Sequence, residues 1–245
     1  MRESQEYKKM NRQDKLVSVL GNLELKVSPY LPFSLLGVVQ WSLGKVNKAS
    51  LLDVGCGNGR VMKFINKHKR FFSVGVDIFE LAIREAQRQE SHDGYVLCDV
   101  QQLPFQRKSF DIVLCMEVLE HLERNEGVVL LQTLEEIARM QIIITTPVGL
   151  YKQDAFNGNL YQQHKSIWSP NELKRLGFKV RGVQIRGINF TTGLLSRLPR
   201  LLRIPIHIAW YLAGPFVYFL PQLSGDMICS KKLDNRKRSA TWGKQ

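Results

Sequence analysis

Short apolar runs alternate with longer amphipathic segments between residues 50 and 146. The short runs are rich in β-branched and aromatic residues, which is typical of buried strands. The longer segments place their apolar residues at helical spacing. Because parallel strands joined by helices require right-handed crossovers, this order predicts an α/β fold with a Rossmann-like, doubly wound sheet and helices on both faces. We predict strands at Ser50–Val54, Phe72–Val76, Tyr95–Cys98, Phe110–Cys115 and Gln141–Thr145, and helices at Asn58–Lys69, Phe79–Glu90 and Glu126–Met140.

The segments on either side of this pattern predict additional elements. Leu16–Leu43 is apolar around a Ser-Pro-Tyr-Leu-Pro break and predicts two short helices. Ser169–Leu176 predicts a helix, because Ser169 can cap it and proline suits its first position. Two further strands are predicted at Phe178–Ile185 and Met227–Lys231. We therefore expect a helical cap in residues 1–48 and one α/β domain in residues 49–245.

The composition is that of a globular protein. Apolar residues make up 44% of the 245 positions, and no stretch is dominated by Pro, Gly or Ser, which excludes wholesale disorder and collagen. The four cysteines are widely spaced and contain no C-x-x-C pair, and residues 1–15 are polar. We therefore expect reduced cysteines and a cytoplasmic location.

Positive charge is concentrated in the last third of the chain. Residues 174–245 hold 14 basic residues against two acidic ones, whereas residues 1–173 are nearly neutral. This region includes an insert, 187–225, and a basic tail, 231–245. Within the insert, Ile204–Ser224 contains no Lys, Arg, Asp or Glu and is interrupted by prolines.

This arrangement predicts that residues 194–238 contact an anionic membrane surface as an interfacial or re-entrant helical pair. Arginines would lie at the headgroups, with Trp210, Tyr211 and Tyr218 as interfacial aromatic residues. A soluble lid over an acceptor pocket is the alternative.

A glycine-rich turn follows the first predicted strand. The sequence D-V-G-C-G-N-G occupies residues 53–59 and leads into a helix. Alternate glycines let the backbone approach a ligand, with the N–H groups of the helix start directed toward it. A dinucleotide fingerprint requires G-x-G-x-x-G, but the third residue after Gly57 is Arg60. Asp53 would repel a pyrophosphate, so the turn favours a cationic ligand group such as a sulfonium or an amino-acid end.

Carboxylates end the next two predicted strands. Asp77 closes V-G-V-D and can accept hydrogen bonds from vicinal ribose hydroxyls. Asp99 closes the third strand and can accept from an exocyclic amine. After the fourth strand, E-V-L-E-H places more polar side chains at the same edge of the sheet.

Together these motifs resemble the class I S-adenosylmethionine-dependent methyltransferases, especially the type 11 group that includes ubiquinone and menaquinone biosynthesis methyltransferases. The shared motifs between Leu51 and Pro147 are D-V-G-C-G-N-G, V-G-V-D, C-D-V-x-x-L-P-F, F-D-I-V and E-V-L-E-H-L. The resemblance implies S-adenosylmethionine as the cofactor and a seven-stranded sheet with an antiparallel last strand. It places Asp53, Gly55 and Gly57 at the methionine end of the cofactor, where Cys56 contributes backbone contacts. It places Asp77 and Ile78 at the ribose, Asp99 and Val100 at the adenine, and Met116 at the far wall of the site.

The catalytic role is assigned to His121, which follows the fourth strand at the cleft edge and could act as a base. A structural histidine that caps this turn is the alternative. We assign no residue as a metal ligand, although Glu117, Glu120 and His121 resemble a metal-binding run in related methyltransferases, with His164 as a conceivable fourth ligand. Whether these side chains bind a metal stays open.

These observations predict methyl transfer to oxygen or carbon of a small-molecule or lipid-linked acceptor. An RNA methyltransferase that uses the basic C-terminal region is one alternative, but a long uncharged apolar run fits nucleic acid poorly. A non-catalytic scaffold of the same fold is the other.

Overall fold

The computed structural model describes residues 32–149, 160–186 and 212–233. Its centre is a seven-stranded sheet in the order β3-β2-β1-β4-β5-β7-β6. Strands β1 to β5 are parallel, and β7 runs antiparallel to both of its neighbours. The strands are β1 (Ala49–Val54), β2 (Phe71–Asp77), β3 (Gly94–Leu97), β4 (Phe110–Met116), β5 (Ala138–Pro147), β6 (Lys179–Ile185) and β7 (Ser224–Lys232). The predicted fold class, including the antiparallel last strand, is confirmed.

Helices cover both faces of the sheet. Successive residues of β1 point to opposite faces, so Leu51 packs with α1 and Leu52 packs with α4. The helices cover the two faces of the sheet, and the edge formed by the carboxyl ends of the parallel strands lies between the two helical layers. The helices are α1 (Leu35–Leu43), α2 (Arg60–Ile65), α3 (Glu80–Arg88), α4 (Arg124–Ile137), α5 (Pro170–Arg175) and α6 (Gly214–Phe219).

The three helices predicted between the parallel strands all extend past their observed C-terminal ends, by two residues in α3 and by more in α2 and α4. Helix α2 ends at Ile65 because the Asn66 side chain bonds both backbone groups of Phe71 and turns the chain into β2. Helix α4 ends at Ile137, since Ala138 already pairs with Phe110 in the sheet. Both boundaries are set by contacts that helical periodicity does not encode.

The cap and the insert are described only in part. The second predicted N-terminal helix corresponds to α1, whereas residues 1–31 lie outside the described residues. Of the insert, 187–211 also lies outside, including Trp210 and Tyr211. Tyr218 lies on α6, where its ring packs against Phe33 and beneath the Arg181 guanidinium.

In the described ranges, no helix is both long enough and apolar enough to cross a membrane.

Candidate functional site

The glycine turn lies between the end of β1 and α2, at the carboxyl edge of the sheet. Its backbone is held internally: Gly55 and Cys56 donate their N–H groups to Val76 O at 2.8 and 2.9 Å, and Gly59 donates to Cys56 O at 3.0 Å. Two of these bonds tie the turn to β2, and the third closes the turn on itself. The turn is therefore held in one conformation by its own backbone and by β2.

The glycines of this turn differ in what surrounds them. A Cβ at Gly55 would overlap Val118, and one at Gly59 would overlap Ser91, so these two glycines permit close packing. A Cβ at Gly57 would meet no atom of residues 32–149, 160–186 or 212–233 within 4 Å. Gly57 has a φ of 53°, and its α carbon faces open space above the strand ends. It is the position in this turn where a ligand can approach the backbone.

Asp77 ends β2 beside Gly57. One carboxylate oxygen accepts from Gly57 N and the other from Phe79 N, both at 2.8 Å. Each oxygen keeps a second lone pair, so the carboxylate can still accept from hydroxyl groups. Burial raises the pKa of Asp77, and the two N–H donors oppose that shift. Ile78, the next residue, is half-buried at the same edge.

Asp99 and Val100 follow β3 along this edge. Asp99 Oδ1 accepts from Gln101 N at 2.9 Å and so caps a short 3₁₀ turn that contains the buried Val100. The edge therefore carries Asp53, Asp77 and Asp99 at the ends of three adjacent strands, in the order that the sequence predicts.

Asp53 has a partner that sequence reasoning missed. Its Oδ2 lies 3.0 Å from Nε2 of His92, whose side chain is fully buried. His92 Nδ1 lies 2.8 Å from Ser91 Oγ. A single histidine in the loop between α3 and β3 carries no motif, and only the fold brings it beneath the glycine turn.

A second polar group occupies the ends of β4 and β5. Met116 is the last residue of β4, and Glu117 follows it with a φ of 52°. Thr145 donates its hydroxyl to Glu117 Oε1 at 2.7 Å, and the Glu117 N–H bonds the Thr145 carbonyl at 3.0 Å. A non-glycine residue in this conformation is strained, and such strain is concentrated at functional sites.

Glu120, His121 and His164 converge next to this pair. Each can offer one ligand atom such that all three atoms lie within 4.8 Å of one another. Glu120 is 3% exposed; its Oε2 accepts from Thr146 Oγ1 at 2.9 Å, whereas its buried Oε1 has no hydrogen-bond partner in the part of the chain that the structure describes. Of the four side chains whose metal binding the sequence leaves open, Glu120, His121 and His164 form this cluster, and Glu117 lies outside it.

The protonation states of this group follow from burial. Burial raises the pKa of the Glu117 carboxyl well above its usual range and that of Glu120 to about 7. Burial lowers the pKa of His121. Because the Gln163 carbonyl at 3.2 Å can only accept, His121 Nδ1 carries the proton and Nε2 carries the lone pair in the neutral ring. His121 therefore presents a basic nitrogen that could take a proton or bind a cation.

The tract 161–168 is bonded onto the turn that holds these residues. Lys165 and Ser166 donate their backbone N–H groups to Glu120 O at 2.7 and 3.1 Å. Trp168 is 0% exposed, bonds Leu119 O through its indole N–H and carries the Arg124 guanidinium 3.8 Å from its ring centroid. Trp168 thus anchors the tract to the core.

Residues 52–141 match a family model described as a methyltransferase domain. The chain is 37% identical over 75 residues to the ubiquinone biosynthesis O-methyltransferase of Coxiella burnetii; the match covers 29% of this chain and 32% of that protein. It is 30% identical over 149 residues to the mitochondrial arginine-hydroxylase NDUFAF5 of Homo sapiens, with 60% and 40% covered. The chain thus matches less than half the length of either curated relative.

Among solved structures, the chain is similar to magnesium protoporphyrin IX methyltransferase from Synechocystis PCC 6803 with bound SAH. The match has a TM-score of 0.53 and 16% identity, and it covers 92% of this chain and 89% of that one. At this identity the likeness concerns the fold.

Proposed function

We propose that the chain carries a class I S-adenosylmethionine-dependent methyltransferase domain and that this domain methylates an oxygen or carbon atom of a small or lipid-linked acceptor. The observation that carries the proposal is the adjacency of two groups at one sheet edge. One comprises Gly57 with the three strand-end carboxylates, and the other comprises Glu117, Glu120 and His121. The first suits a cofactor, and the second suits an acceptor that must lose a proton.

The residues present fit S-adenosylmethionine, which supplies an electrophilic methyl group when bound. Gly57 leaves room for a ligand against its backbone, and Asp77 is held in place by two N–H donors while it keeps lone pairs for ribose hydroxyls. Asp53 offers negative charge for a cationic amino-acid end, and Asp99 can accept from the adenine amine. Methyl transfer needs mainly proximity and orientation, so these contacts supply much of what the reaction requires.

His121 is the proposed base. Its Nδ1–H is bonded to Gln163 O, which fixes the ring, and burial keeps it neutral so that Nε2 can accept the acceptor's proton. His121→Asn should reduce turnover while the cofactor affinity stays unchanged.

Binding of a divalent cation by these side chains is the alternative to general-base catalysis by His121. Glu120, His121 and His164 supply a mixed oxygen and nitrogen donor set, and the orphaned Glu120 Oε1 is the kind of atom that a cation would satisfy. A cation there would lower the pKa of an acceptor hydroxyl. Equilibrium dialysis with Mn²⁺ or Zn²⁺ tests this by comparing metal uptake in the wild type and in Glu120→Gln. Equal uptake by both proteins, or full activity after exhaustive chelation, would exclude a functional cation at this site.

The exposed apolar side chains of residues 212–223 support an acceptor that arrives from an anionic membrane surface. Leu212, Phe216, Phe219, Leu220 and Leu223 are all exposed. This segment leads into β7, whose Asp226 pairs with Pro147 at the end of β5. It therefore reaches the same sheet edge as the Glu120 group, where an acceptor must enter.

Calorimetry with S-adenosylmethionine tests the cofactor half of the proposal. We expect binding by the wild type and loss of binding in Asp77→Asn, because one N–H acceptor and one ribose contact are removed. Asp111→Asn is the matched control: Asp111 bonds Ser50 at the amino ends of β4 and β1, the opposite end of the sheet, and should leave affinity unchanged. No binding by the wild type would overturn the proposal.

Lipid and metabolite profiling of cells with and without the protein tests the acceptor half. A mass increase of one methylene indicates methyl transfer. A mass increase of one oxygen would instead indicate hydroxylation, the reaction named for the human relative, and would contradict the proposal.

A further inference from the structure

The Ser91–His92 segment packs beneath the glycine turn and adopts its place because two glycines make room for it. A Cβ at Gly59 would overlap Ser91, and a Cβ at Gly75 would lie about 3.0 Å from the His92 ring. Both glycines belong to the motifs that carry the resemblance. Their space is thus occupied by this segment and not by a ligand.

The His92 ring of this segment makes a hydrogen bond to Asp53. A carboxylate can only accept, so His92 Nε2 donates its proton to Asp53 Oδ2 at 3.0 Å. On the other side of the ring, Ser91 Oγ lies 2.8 Å from Nδ1. The Ser91 hydroxyl also lies 3.2 Å from the Ala86 carbonyl, so it ties this side of the ring to α3. Asp53 is 5% exposed, and its Oδ1 has no hydrogen-bond partner among the described residues.

We propose that His92 is a positioning residue that fixes the Asp53 carboxylate for the amino-acid end of S-adenosylmethionine. The inference rests on the proposed function, since it takes Asp53 to face that end of the cofactor. One oxygen is held by the ring, and the other is left for the ligand. Without His92, the nearly buried carboxylate would lose its donor and could rotate, which weakens its contact with a cationic group.

The test compares cofactor binding in His92→Phe and Tyr95→Phe, with wild type as reference. His92→Phe keeps an aromatic ring in the cavity and removes the donor to Asp53. Tyr95→Phe removes a hydroxyl that bonds the His92 backbone N–H at 2.9 Å and Ala86 O at 3.0 Å, so it loosens the same loop without touching Asp53. Calorimetry with S-adenosylmethionine should show affinity about tenfold lower in His92→Phe, as expected for one lost hydrogen bond to a charged group, and unchanged in Tyr95→Phe.

A truncated ligand separates positioning from general loosening. 5′-Methylthioadenosine retains the adenine and ribose but lacks the amino-acid end, so its affinity should be the same in the wild type and in His92→Phe. Equal losses for both ligands, or equal losses in both variants, would assign His92 a merely structural role and overturn the inference.

Rescue provides a second readout if His92→Phe folds poorly. His92→Gln places an N–H donor near the position of Nε2 and should recover most of the affinity, whereas His92→Asn reaches only the Nδ1 position and should not. Equal affinity in these two variants would also overturn the inference. Absence of cofactor binding by the wild type would instead overturn the proposed function, so the two failures are distinguishable.

Discussion

Gly57 and Asp77 hold each other at the open side of the turn. The Gly57 N–H bonds Asp77 Oδ2, so the residue with free space around it is tied to the carboxylate that would receive the ribose. The turn and the strand-end acid therefore form one rigid unit, and pre-organisation of this kind lowers the cost of ordering a site on binding.

Substitution of two glycines of the turn should separate packing from ligand approach. Gly59→Ala would overlap Ser91 and should lower stability by about 1–3 kcal/mol through overpacking, in addition to about 1–2 kcal/mol for its left-handed conformation. Gly57→Ala meets no neighbour and costs only about 1–2 kcal/mol for its left-handed conformation, but the new methyl group occupies the ligand's approach. We expect Gly57→Ala to lose more cofactor affinity than Gly59→Ala despite the smaller drop in melting temperature. Thermal unfolding and calorimetry on both variants check this, and the opposite ranking of affinities would contradict it.

Glu120 should make stability depend on pH. Its pKa is raised to about 7 in the folded protein, against about 4.3 in an unfolded chain. The folded state therefore binds the proton more tightly, and this stabilisation is fully present below about pH 4.3 and lost as pH rises through about 7. Glu120→Gln removes the titration while its amide oxygen can still accept from Thr146.

In urea unfolding with chelator present, the free energy of unfolding of Glu120→Gln relative to wild type should rise by about 2 kcal/mol between about pH 5 and pH 8. Glu136→Gln, at an exposed carboxylate, is the control and should show no such trend. A constant difference between Glu120→Gln and wild type across this range would contradict the raised pKa.

At the scale of elements, α6 combines a packed face with an exposed one. Gly182 of β6 lets the helix approach closely, because a Cβ there would overlap the Val217 carbonyl. Val217 is buried and Tyr218 packs on Phe33, while Phe216 is 72% exposed. The helix is therefore fixed to the sheet in a way that keeps large apolar side chains outside, which supports the proposed membrane contact.

Phe216→Ser should weaken binding to vesicles that contain anionic lipid, because an exposed phenyl ring that enters the interface contributes buried apolar area. Phe72→Ser is the matched control, since Phe72 is 62% exposed on β2, away from α6. Vesicle flotation of the full chain should recover less of Phe216→Ser than of Phe72→Ser or wild type. Equal recovery of all three proteins would contradict membrane contact through this helix.

At the scale of the whole molecule, strand-end motifs could be predicted from sequence because they are local. Asp53, Asp77 and Asp99 each follow an apolar run directly, and parallel strands bring such ends to one edge. His92 and Thr146 could not be predicted in this way, because their roles depend on contacts between residues far apart in the chain. The predicted C-terminal end of α4 was wrong for the same reason, because the pairing of Ala138 with Phe110 ends this helix.

The uneven charge gives the last prediction. Residues 174–245 carry 14 basic and two acidic residues, while the rest of the chain is nearly neutral. Attraction to an anionic bilayer should therefore fall as salt shortens the Debye length from about 10 Å at 0.1 M to about 3 Å at 1 M. The apolar contact through residues 212–223 is not screened, so flotation with anionic vesicles should decrease with salt without vanishing. Flotation should also persist in excess single-stranded RNA; complete displacement by RNA would favour the nucleic-acid alternative and contradict a membrane surface as the partner of this charge.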